Sequence, residues 1–451
     1  MSYTSDLAEY VSSVRYDVLP PPVVSAAKRI TLDILGCMFA ATAYRPGKVM
    51  TEHLRRSGDA PRATVVGTDV RVSPANAALA NGTLASEMEL DDVHEGGTHP
   101  STVYVPALLA VAEDLGSSGT QWVAALTAAY DVGIRLSGAT GMAAVYSRGF
   151  HPTSVCGTFG AAAGVAHLRG LDAAQVANAF GLTGSQASGM LTWEMEPEHF
   201  AKSFQSGVAA RNAVTSVELA ALGYIGGPDT LDGKYNIFDS FSTRRDFPAI
   251  TRELGSRYEI LYTGFKFYTC CRAIHAALDI LLDLQAKHGF TAADVQGIDV
   301  ALTASIAPMV DNNVLTTHNL QYILAAALVD GEVTRVQTSP ERRADPVLGE
   351  LASRVTLIHD PALEKRPTKI VGPTRLELRL LDGSVHGEER EDPRGGTALP
   401  VSDVEIEAKF RRLATPVIGT ERADRVVDAA WRLETLPSMR ELTDLLLVRA
   451  G

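Results

Sequence analysis

The first 260 residues repeat small and apolar side chains at helical spacing and rarely alternate β-branched with polar residues. That pattern commits the stretch to helices packed on helices: alanine and glycine let helix axes approach, and the period-two signature of a sheet is scarce. Pro20-Pro21-Pro22 opens a helix whose apolar positions Val23, Ala27, Ile30, Ile34 and Met38 keep the helical period. Further helices are predicted over 74–90, 104–115, 120–137, 153–169, 172–182 and 200–222, with Asp172 as an N-cap. After about residue 262 the character changes. A helix over 271–287 precedes an alternating strand at 296–303, a second strand at 354–358, and a hairpin at 375–387 turning on Asp382-Gly383. Residues 402–446 return to helices. The expected class is mainly α: a large all-helical domain built from residues 1–260 and 400–451, with a smaller α+β lid domain over 261–399.

Bulk properties narrow the partners. A net charge of −12 disfavours nucleic acid and anionic membranes. It also means that a site for an anion needs its own local lysine or arginine. No apolar run is long enough to span a membrane as a helix. Cys37, Cys156, Cys270 and Cys271 follow no metal or disulfide spacing, and the N-terminal segment carries acids where a secretory leader would be apolar. The expectation is a cytoplasmic protein with reduced thiols.

Two His-Pro pairs carry the functional signal. One closes an acidic stretch running from Glu87 through Glu89, Asp91, Asp92 and His94 to Gly96-Gly97-Thr98-His99-Pro100-Ser101. The other is Gly149-Phe150-His151-Pro152-Thr153. Proline at the first helical turn presets the helix and pushes the preceding residue to an extended conformation. His99 and His151 then project across helix N-termini, where the dipole favours anions and a neutral imidazole. The acidic stretch has three readings: a metal site, a solvated loop, or a catalytic loop. The spacing of Asp91, Asp92, His94 and His99 fits no standard metal cage. Lys202 lies off the Phe200, Phe204, Val208 stripe and by itself reads as a surface lysine. Lys266, set among Tyr262, Phe265, Phe267 and Tyr268, reads as a carboxylate clamp, with Arg272 and His275 close by. Tyr322 reads as core on sequence alone. P-loop, dinucleotide-binding and nucleophile-elbow patterns are absent.

At these residues the chain resembles the MmgE/PrpD family. The blocks are Glu89-Leu90-Asp91-Asp92-Val93, Thr98-His99-Pro100-Ser101, Gly149 to Thr153, Gly184 to Gly189, Lys202 ahead of Gly207, and Lys266 ahead of Cys271 and His275. The resemblance implies a homodimer and a cofactor-free, metal-free site between the two domains. It implies cofactor-free lyase chemistry on a small polycarboxylate by proton transfer α to a carboxylate. Dehydration of 2-methylcitrate, decarboxylation of cis-aconitate and epimerisation of iminodisuccinate all occur among family members. Carried over position by position, it implies active-site roles for Asp91, Asp92, Thr98, His99, His151, Lys202, Lys266 and Tyr322. Three positions depart from the family pattern: Glu89 replaces a frequent Asp, Val93 a frequent Thr, and Gln205 a frequent His.

The expected division of labour is as follows. Lys202 and Lys266 hold carboxylates, His99 or His151 moves the proton, and Asp91 or Asp92 orients a histidine or protonates a leaving hydroxyl. Glu89, Thr98, Gln205, Arg272 and Tyr322 contact substrate. Dehydratase, decarboxylase and epimerase remain open, as does a non-catalytic carboxylate-binding or scaffold protein on the same fold.

Overall fold

The computed structural model describes residues 2–366 and 372–448. Among these, twenty α-helices accompany two two-stranded ladders and one four-stranded sheet, so the chain is mainly α. No helix among the described residues is long and apolar enough to cross a membrane.

The helices begin and end near where the sequence places them. Pro21–Ala41 starts on its prolines, and Ala173–Gly184 is capped by Asp172, whose side chain accepts from the Gln175 N–H in a capping box. The helix expected over 74–90 stops earlier, as Pro74–Glu87. Its chain reverses at Glu89, which sits in the left-handed region at φ 46°. A side chain there costs of order 1–2 kcal/mol and needs strong anchoring.

The Pro74–Glu87 and Ala201–Ala221 helices cross at Gly82 and Gly207. A Cβ on Gly207 would lie 2.1 Å from the Leu79 carbonyl oxygen, and one on Gly82 would lie 2.7 Å from the Gly207 Cα. This close approach brings Lys202, in the first turn of its helix, against Glu89 just past the end of the other.

Apolar burial divides in two. The larger core draws on residues from Leu7 to Phe265 and again from Val401 to Leu446. The smaller runs from Cys270 to Leu380. In the smaller, Val295–Thr303 lies parallel to Val355–Asp360 and antiparallel to Thr374–Leu380, which pairs with Val385–Arg390 through the Asp382-Gly383 turn. Leu376, Leu378 and Leu380 point into this core together with the Arg272–His288 and Leu320–Asp330 helices.

One ladder joins the His-Pro loop to the start of the smaller part. Asp92–His94 pairs antiparallel with Thr263–Phe265, with Val93 opposite Gly264. It carries Lys266 to the acidic stretch across a long span of sequence.

Candidate active site

The acidic stretch turns at Glu89 and enters the Asp92–His94 strand. Successive strand side chains point to opposite faces, so Val93 faces one side, which Glu89 shares, while Asp92 and His94 face the other. On the first side lies a small buried cavity of about 50 Å³, lined by Glu89, Val93, His99, Lys202, Arg272 and His318 among others. Wider clefts lie at the surface, one of about 660 Å³ near Arg422 and Arg432, but these bring no imidazole to the wall.

Glu89 is the centre of charge. Lys202 Nζ lies 2.7 and 2.5 Å from its two carboxylate oxygens, Lys266 Nζ lies 3.0 Å from Oε1, and His199 Nε2 lies 2.9 Å from Oε2. Burial alone would raise this carboxyl, but the two ammonium groups and His199 hold it well below the ordinary range. These contacts supply the anchoring that the left-handed backbone at Glu89 requires. Lys266 is fully buried and also faces Asp91 at 3.6 Å. Lys202 is buried as well, correcting the expectation of a surface lysine, and its ammonium sits 5.0 Å from the Trp193 ring centroid.

Asp91 and His99 form a dyad. The His99 Nδ1 lies 2.8 Å from Asp91 Oδ2 and 2.9 Å from the Asp92 carbonyl. Both are acceptors, so Nδ1 carries the proton and Nε2 is left with a lone pair. Burial pushes the Asp91 carboxyl up, but Lys266 and His99 outweigh it and hold the group at about 2. The histidine is therefore paired with a charged carboxylate.

The second His-Pro pair lies next to the first: the His99 N–H donates to Thr153 Oγ1 at 3.1 Å. His151, however, stands one layer behind the cavity wall. Trp193 and Tyr146, which do line the wall, pack on its ring at 5.4 and 6.4 Å. Gln205 Nε2 donates to the Met190 carbonyl at 2.7 Å, which aims Gln205 Oε1 at His151 Nδ1, 3.2 Å away. His151 Nε2 is buried without a partner, and burial together with Lys202 and His99 keeps the ring neutral.

Several expected site residues are engaged elsewhere. Asp92 accepts from the Ser101 N–H and hydroxyl at 3.1 and 2.6 Å and from the Tyr130 hydroxyl at 2.7 Å. It therefore occupies the N-terminal mouth of the Ser101–Leu115 helix, the place the sequence reading left for a substrate anion. Burial raises its carboxyl to about 7. Tyr322 is buried in the smaller core, donates to the Gln337 carbonyl at 2.7 Å, and does not reach the cavity. Arg272 reaches the wall, but its guanidinium donates to the carbonyls of Phe265, Arg394 and Pro393 at 3.1–3.3 Å. Thr98 is buried with a hydroxyl that has no partner and is not in the wall. His94 accepts from the Gly96 N–H at 2.7 Å and contacts the Glu259 carbonyl at 2.9 Å, so it braces the loop. Among the described residues no group of three or more His, Cys, Asp or Glu is arranged to hold a metal ion.

Three residues the sequence reading passed over belong to the site. Trp193 and His318 line the cavity, their rings 5.5 Å apart, and His199 completes the Glu89 cluster. His318 comes from the smaller part, just ahead of the Leu320–Asp330 helix, and burial keeps it neutral. From the far end of the chain, Lys409 in the Asp403–Ile418 helix donates to the Leu90 carbonyl at 2.7 Å and pairs with Asp33 at 2.7 Å. It fixes the peptide between Glu89 and Asp91.

The fold and the site define a two-core helical protein with a buried acid-lysine-histidine cluster where the cores meet. The chain belongs to the MmgE/PrpD family: the family's N-terminal domain matches residues 5–250 and its C-terminal domain residues 268–433. It is similar over nearly its whole length to characterised relatives. The cis-aconitate decarboxylase-like protein oryM of Aspergillus oryzae is 28% identical over 98% of this chain and 97% of its own. The cis-aconitate decarboxylase of Mus musculus is 25% identical, covering 99% and 93%. The 2-methylcitrate dehydratase of Salmonella typhimurium is 24% identical, covering 98% and 96%.

Proposed function

We propose that this chain is a lyase that moves a proton at the carbon next to a carboxylate, with His99 as the proton-transfer group. The observation that carries the reading is the Asp91–His99 dyad opening into the cavity. The relatives named as decarboxylases and dehydratases support it. In the dehydration form, His99 Nε2 takes the α-proton and the electron pair moves into the carboxylate. Lys202 has N–H capacity beyond its contacts to Glu89 and would stabilise that enediolate. The β-hydroxyl then leaves as water, taking the proton from the His99 imidazolium formed in the first step. In the decarboxylation form CO₂ leaves, and His99, starting as the imidazolium beside Asp91, gives its Nε2 proton to the carbon that held it. Asp91 would stabilise the imidazolium in either case. His151 and Gln205 would act from behind Trp193, as positioning residues.

A second reading, an epimerase, has one observation in its favour: the wall holds imidazoles from both parts of the chain, His99 and His318. Proton NMR in D₂O with a panel of hydroxy and unsaturated carboxylic acids, followed by mass spectrometry, tests both. The lyase reading expects loss of water or CO₂ together with solvent exchange, abolished in His99→Ala. Deuterium gain with no loss of mass identifies the epimerase. Tight binding without exchange identifies a binding protein and refutes both.

A further inference from the structure

We infer that the substrate carries one net negative charge and an apolar body, and that Glu89 sets this limit. The inference rests on reading the cavity as the lyase site. The charges in and behind its wall already cancel: Lys202 and Lys266 face Glu89, and Lys266 also faces Asp91. His99 hydrogen-bonds inside the cluster, and His199 and His318 are kept neutral by burial. The remaining cation in the wall, Arg272, is held by three backbone carbonyls and lies 3.8 Å from Asp392. Among the described residues the wall's two cations, Lys202 and Arg272, are thus each matched by a carboxylate in or behind it.

A substrate carboxylate docking on Lys202 brings one negative charge into a neutral site. A tricarboxylate would bring two more, next to buried Glu89 and Asp91 and with water excluded, where like charges repel most strongly. The rest of the wall is suited to hydrocarbon. Val93, Met142, Ile306 and Met309 line it together with the rings of Trp193 and Tyr146. A second or third carboxylate placed there would find neutral donors, such as the unpartnered Trp193 indole N–H, but no unpaired cation to offset its charge.

The test compares β-hydroxybutyrate, β-hydroxyisovalerate and β-hydroxyhexanoate with citrate and cis-aconitate, by calorimetric binding and by solvent exchange. The wild-type protein is expected to bind the best monocarboxylate at least about tenfold more tightly than either tricarboxylate. Glu89→Gln frees lysine charge and is expected to move that ratio by about tenfold or more toward the tricarboxylates, whereas Glu89→Asp leaves it in place. Tighter wild-type binding of a tricarboxylate, or no binding of any monocarboxylate, overturns the inference. Where Glu89→Gln does not fold, the wild-type ratio alone decides. Monocarboxylate binding without exchange overturns the lyase reading and leaves the charge limit standing, so the two fail separately.

Discussion

Glu89 holds two buried lysines, and removing its charge should expose how much of the fold depends on that balance. With an effective dielectric of about 20, the contact distances give Lys202 a gross attraction to Glu89 of about 6 kcal/mol. Lys266, placed between Glu89 and Asp91, has a gross attraction of about 10 kcal/mol. Desolvation offsets most of each figure, and breaking a buried pair costs about 3–5 kcal/mol net. Glu89→Gln strands part of both lysines' charge and should lie at the upper end. Lys266→Met leaves two carboxylates facing each other and should follow. Lys202→Met leaves Glu89 with Lys266 and His199 and should cost least, about 1–2 kcal/mol. The decisive variant is the double substitution Glu89→Gln with Lys202→Met, which removes a pair and should be more stable than Glu89→Gln alone. Thermal and urea denaturation measure all four. The deficit of Glu89→Gln should also shrink as pH rises toward 10, because stranded buried lysines release protons that the unfolded chain still holds. Additive losses in the double variant, or a Glu89→Gln protein as stable as wild type, would refute this account of the cluster.

Four further outcomes are expected. Asp91, held at about 2 in the fold against an ordinary value near 4, contributes stability that is present above about pH 4 and lost as pH falls through about 2. Asp92 has the opposite sign. Raised to about 7, it makes stability fall as pH climbs from about 4 to about 7, and Asp92→Asn should flatten that slope in a melting-temperature series. Dialysis against a chelator should leave turnover unchanged in a steady-state assay, and restoration by an added divalent cation would contradict the metal-free reading. The exposed stripe Phe204, Leu219 and Leu222, with Tyr224 and Ile225 beyond it, is proposed to be covered by a second copy of the chain. Light scattering should give a dimer, and Leu219→Glu with Leu222→Glu should give a folded monomer.

Helices were legible because each states its period and its ends locally, as the Asp172 capping box and the Asp382-Gly383 hairpin turn show. The place of His99 was legible through His99-Pro100 and the burial of Lys266 through its aromatic setting, but Lys266 meets the carboxylates of Glu89 and Asp91 and does not line the cavity. Asp92 was misplaced because its partners, Ser101 and Tyr130, meet it only in the folded chain. The short ladder between Asp92–His94 and Thr263–Phe265 left no readable trace, since three residues are too few to show alternation. Trp193 and His318 reach the cavity, and His199 the Glu89 cluster, through tertiary packing alone, with no local pattern around them. Tyr322 came from resemblance, while the packing sends its hydroxyl to Gln337 and gives the wall position to His318.

Lys409 reaches back 319 residues to hold the Leu90 carbonyl. At about 5–20 residues per second, a growing chain makes Leu90 roughly 15–60 s before it makes the lysine that fixes it. Through that interval Glu89 and Asp91 flank an unclamped peptide, and the lysine partner at 266 is itself not yet made for much of it. The acidic loop is thus among the last parts of the molecule to settle, and a chain that ends before residue 409 lacks the contact that fixes it.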